Sequence, residues 1–78
     1  AGAYRPRSPQ SNAASDAAVS GLMAYAAIQG ALYNVKINLG FIKDADFCLT
    51  TRTRIGELSD AAKKENAALE AAAGNILP

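Results

Sequence analysis

Apolar positions are distributed in two different ways along this chain. From Asp16 to Gly40 they occupy nearly every side of the segment, whose one charge after Asp16 is Lys36. At 3.6 residues per turn, Val19, Leu22, Met23, Ala26, Gly30, Tyr33 and Ile37 make one stripe, and Gly21, Tyr25, Ile28, Leu32, Val35 and Leu39 make a second. Between them, Ser20, Ala24, Ala27, Ala31, Asn34 and Asn38 align small and amide side chains into a seam that another helix can approach closely. From Asp44 to Ala73 the pattern narrows. A single stripe passes through Cys48, Thr51, Ile55, Leu58, Ala62, Leu69, Ala73 and Ile76, while Arg54, Glu57, Asp60, Lys64 and Glu70 fall largely away from it.

These patterns predict an all-α fold, an antiparallel hairpin of two long helices preceded by an extended N-terminal strap. Residues 1–14 are assigned to the strap because Arg5-Pro6-Arg7-Ser8-Pro9 favours extended backbone, and residues 15–78 to the hairpin. The first helix is expected over about residues 16–39, with Ser15 as N-cap, Asp16 in the first turn and Gly40 just past the end. The second is expected over about residues 44–73, capped by Asp44, reinforced by Asp46 and closed by Gly74 and Asn75. On it, Asp60 and Lys64 stand one turn apart as an ion pair worth about 0.3–0.5 kcal/mol. Gly56 weakens the middle of the same helix by about 1 kcal/mol relative to alanine.

One stripe cannot cover a cylinder that is apolar all round. The first helix therefore needs cover from another polypeptide or from a second copy of itself, and Ser20, Ala24, Ala27, Ala31, Asn34, Asn38, Tyr25 and Tyr33 form the expected partner interface. Length points the same way. A chain of 78 residues buries only about 60–65% of its unfolded surface, and such small domains rely on disulfides, a metal or association. One cysteine and no histidine leave association.

Charge and composition exclude several classes of partner. A net charge of +1 provides no general attraction to nucleic acid or to an anionic membrane. Residues 17–35 are uncharged, but Ser20, Gly21, Gln29, Gly30 and Asn34 dilute their hydrophobicity, so membrane contact is expected only through an assembly. The lone Cys48 fits a reducing compartment. Ala1 at the start is compatible with methionine removal, with loss of a targeting peptide or with a fragment, and the interior of a chloroplast or mitochondrion is one setting that suits it.

Chemistry-bearing sets are scarce. Without histidine there is no Ser–His or Cys–His pair, and no glycine-rich phosphate loop is present. Asp44-x-Asp46 fails as a calcium loop because Leu49 and Ile55 stand where glycine and glutamate are required. Cys48 lies on the apolar stripe and is read as a structural thiol. Arg52 and Arg54, two apart on a helix, point to different sides and are read as solvated. Asn34 and Asn38 are the candidates for a specific polar role, either as amides bonding across a helix interface or as ligand contacts. No catalytic residue, no metal site and no resident cofactor are expected.

Three stretches carry a family resemblance: Ser15-Asp16-Ala17-Ala18, then Ala31-Leu32-Tyr33-Asn34-Val35-Lys36-Ile37-Asn38-Leu39, then Ile42-Lys43-Asp44-Ala45-Asp46-Phe47. Over about residues 8–77 the chain resembles the C-terminal part of the formiminotetrahydrofolate cyclodeaminase and methenyltetrahydrofolate cyclohydrolase family. The resemblance implies an all-helical, dimeric protein acting on one-carbon derivatives of tetrahydrofolate, with Asp16, Asn34 and Asn38 as the positions matching polar family motifs and hence folate contacts. Three functional expectations stand side by side. The first is a non-catalytic helical subunit that docks on and stabilises a larger assembly, in one setting an organellar complex. The second is part of a folate-dependent cyclodeaminase or cyclohydrolase that needs further helices for activity. The third is a self-associating helical bundle.

Overall fold

A computed structural model describes residues 9–76 of the chain, and they form two helices packed as an antiparallel hairpin. Helix α1 runs Pro9–Leu39 and helix α2 runs Ala45–Gly74. Both are about 45 Å long at 1.5 Å per residue. No strand occurs among the described residues.

The start of α1 corrects the sequence expectation. Residues 9–14 are helical rather than extended, and Ser15 and Asp16 lie inside the helix, which has no acidic residue in its first turn. The reason lies in Pro9 itself. At the first helical position proline loses nothing, since that N–H has no intrahelical acceptor, and its fixed φ is already helical. The remainder of the expected strap, residues 1–8, lies outside the described residues.

The start of α2 follows its sequence closely. Asp44 sits in extended backbone at φ −72° and ψ 102°, and its carboxylate accepts a 3.0 Å hydrogen bond from the Phe47 amide. Asp46 occupies the first turn. Between the helices the chain reverses through bonds from the Gly40, Phe41 and Ile42 amides to the carbonyls of Ile37, Asn38 and Leu39. Gly40 does this without positive φ, and so does the end of α2, where Asn75 caps in the right-handed region. Neither glycine end uses a left-handed cap.

Of the two α1 stripes, part of the second faces α2, while its Ile28 and Val35 are exposed at 45% and 40%. Gly21, Tyr25, Leu32 and Leu39 turn inward, and Leu39 and Ile55 are each 3% exposed, forming with Ala73 the buried core of the described residues. On α2 the packed positions are Cys48, Thr51, Ile55, Ser59, Ala62, Asn66, Leu69 and Ala73, spaced by threes and fours. Leu58, expected in this stripe, is 40% exposed, and Ser59 replaces it at the seam. The other α1 stripe is open to solvent, with Met23 at 69%, Tyr33 at 64% and Ile37 at 65% exposure. The expected Asp60–Lys64 pair is absent, and the ion pair among the described residues is Arg54–Glu57 at 3.1 Å. Both partners are well exposed, so water screens the pair and its contribution is a few tenths of a kcal/mol at most.

Candidate functional site

The polar part of the hairpin lies where α1 and α2 touch at mid-length. Ser59 donates its hydroxyl to Gln29 Oε1 at 3.0 Å, and Gln29 Nε2 donates in return to the Ser59 carbonyl at 3.4 Å. This reciprocal pair fixes the register of the two helices, whereas Asn34 and Asn38, read from sequence as amides able to bond across a helix interface, are not joined to α2. Sequence spacing could have located it, since Gln29 follows Tyr25 by four residues along the packed stripe, but its partner Ser59 was hidden by the adjacent Leu58. Around the pair lies a groove of about 330 Å³ lined by Tyr25, Gln29, Leu32, Tyr33, Lys36, Ile55, Ser59 and Lys63. Such a volume is at the small end of ligand pockets.

Lys36 projects into this groove with its Nζ 5.4 Å from the centre of the Tyr33 ring, a cation–π geometry. Toward the far ends of the helices a second groove of about 290 Å³ is walled by Gly21, Ala24, Ile28, Ala62, Asn66 and Leu69 among others. Here Asn66 Oδ1 is buried without a hydrogen-bond partner. A Cβ placed on Gly21 would collide with the Leu69 side chain, so this glycine is the hole into which Leu69 packs.

The sequence-predicted site residues are scattered. Asn34 and Asn38 are both exposed, and the Asn38 side-chain amide donates to the Asn34 carbonyl of its own helix at 2.9 Å. Asp16 is exposed on the same helix but separated from Asn34 by roughly 27 Å of axial rise. Within one chain the three do not converge on a shared point. The small-residue seam of Ser20, Ala24, Ala27 and Ala31 is likewise exposed rather than buried against α2. Of the expected interface aromatics, Tyr25 is half-buried between the helices and Tyr33 faces solvent across the groove.

Cys48 is half-buried, with its sulfur 3.6 Å from both the Leu39 and Ile42 carbonyls, where one S–H can satisfy one of them at a time. No group of His, Cys, Asp or Glu side chains among the described residues is arranged to hold a metal ion. No helix of the described residues is long and apolar enough to cross a membrane.

The architecture is that of an all-helical hairpin whose polar side-chain pair between the helices joins Gln29 of α1 to Ser59 of α2. The chain belongs to the formiminotransferase-cyclodeaminase family, whose model matches residues 7–57. That match takes in α1, the link and the N-terminal part of α2, and stops short of residue 77, where the sequence likeness was expected to end. No curated protein and no solved structure matches the chain.

Proposed function

We propose that the chain acts as the helical hairpin of a folate-dependent cyclodeaminase or cyclohydrolase and becomes active when further helices cover α1. The observation that carries this is the family match over residues 7–57, which includes all three candidate folate positions, Asp16, Asn34 and Asn38. Their exposure on α1 supports the need for added helices. A folate held by Asn34 and Asn38 needs a second wall that α2 does not supply, and Asp16 can share such a site only if a different chain brings it there.

The experiment is hydrolysis of 5,10-methenyltetrahydrofolate by the protein purified together with the polypeptides that accompany it. Turnover above the uncatalysed rate should fall at least tenfold in Asn38→Ala, the scale expected when a positioned polar contact to the transition state is lost, with helix content unchanged. Absence of turnover, or turnover indifferent to both Asn38→Ala and Asp16→Asn, would reject the proposal.

A second reading is favoured by one specific feature. Thirteen large apolar side chains among the described residues are exposed, against three buried apolar residues. That balance suits a non-catalytic subunit whose hairpin is held in a larger assembly. Failure of the turnover experiment, with the chain still recovered in a stable complex, would favour this second reading.

A further inference from the structure

Two lysines share the central groove, and the folate reading uses neither. Along α1, Tyr25, Gln29, Leu32, Lys36 and Leu39 follow one another in steps of four and three, the spacing of packing positions against α2. A lysine at such a position sacrifices the burial that an apolar residue would provide. Lys36 escapes sideways into the groove and rests over Tyr33. Side chains on a helix lean toward its N-terminus. Because α1 and α2 run antiparallel, Lys36 from one helix and Lys63 from the other lean into the same groove from opposite ends.

No carboxylate lines the groove, and the ion pair among the described residues joins Arg54 to Glu57 elsewhere on α2. The acidic residue of α1 is Asp16, roughly 30 Å from Lys36 along the axis. On α2, Asp60 stands one turn before Lys63 but outside the groove lining and without an ion pair, so it only partly offsets the positive potential that the two ammonium groups set over a floor made by Leu32 and Ile55. Gln29 Nε2 spends one hydrogen on the Ser59 carbonyl and has a second to donate.

We propose that this groove binds a multivalent oxyanion, a polycarboxylate or a phosphate compound, with Lys36 and Lys63 as its cationic contacts and Gln29 as a neutral donor. One bridging anion removes the repulsion between the lysines and joins the two helices through charge-assisted hydrogen bonds. The proposal does not rest on the folate reading, because its probes contain no folate.

The test titrates the full chain with citrate and, separately, with pyrophosphate, against sodium chloride at equal ionic strength. At about five times its dissociation constant, a binding anion should raise the melting midpoint by roughly 4–8 °C. If the chain is largely unfolded before titration, the same binding appears as a saturable rise in helical circular dichroism. Lys63→Gln, at an exposed position where folding is undisturbed, and Lys36→Gln should each weaken binding at least fivefold. Lys36→Arg should retain it, and so should Lys64→Gln, which removes the same charge outside the groove. A response to citrate alone or to pyrophosphate alone supports the site and identifies the source of its anion. No response beyond that of chloride, or an equal loss in Lys64→Gln, overturns the proposal.

Discussion

Single side chains decide how closely the two helices approach, and Gly21 is the tightest of these positions. The space its missing Cβ leaves is occupied by Leu69. Gly21→Ala gains helix propensity of about 1 kcal/mol, yet the added methyl meets the tip of the Leu69 side chain, which must swing aside and give up part of its packing. Denaturant unfolding should therefore show that the effect of Gly21→Ala depends on Leu69, with a coupling energy above about 0.5 kcal/mol between Gly21→Ala and Leu69→Ala. Additive effects of the two substitutions would contradict this packing. From sequence, Gly21 was readable as part of an apolar stripe, but the need for glycine there was not. That need comes from a residue 48 positions away in the chain, whose proximity no local pattern encodes. Gln29 and Ser59 repeat the lesson in polar form, since each is unremarkable alone and the pair exists only across the interface.

Helices begin and end for local reasons, which is why most of their limits were legible. Asp44 combines a side chain able to accept from the Phe47 amide with a carboxylate at the positive end of the helix dipole, and both effects are written in neighbouring residues. Replacing it with alanine should cost about 1 kcal/mol and fray the first turn of α2, measured as a lower unfolding midpoint with an unchanged denaturant slope. An unaltered midpoint would show that packing rather than the cap sets this end. The start of α1 was harder to read because Pro9 can either exclude or initiate a helix depending on whether it is inside or first. Choosing between these requires knowing whether the residues after it are drawn into a helix. Ala13, Ala14, Ala17 and Ala18 supply that propensity.

At the scale of the whole molecule, the hairpin hides too little of itself. Leu39, Ile55 and Ala73 make up its buried core, while Phe41 at 82% and Leu49 at 67% exposure extend the uncovered apolar surface into the turn and α2. A patch of this kind is expected to bind a hydrophobic dye and to associate with protein. In light scattering after size exclusion, the isolated chain should elute as associated or expanded species. A compact, cooperatively melting monomer that leaves the dye dark would mean that two helices suffice. The residues alone determined the helical class, the hairpin, the capping of α2 and the excess of apolar circumference on α1, because periodicity and propensity act over a few neighbouring residues. Only the tertiary structure decided which α1 stripe meets α2, that Gln29 and Ser59 set the register, and that Asp16 stands far from Asn34 and Asn38. Those outcomes depend on shape and distance between segments remote in sequence, and two equally apolar stripes on one helix look alike until a partner helix settles against one of them.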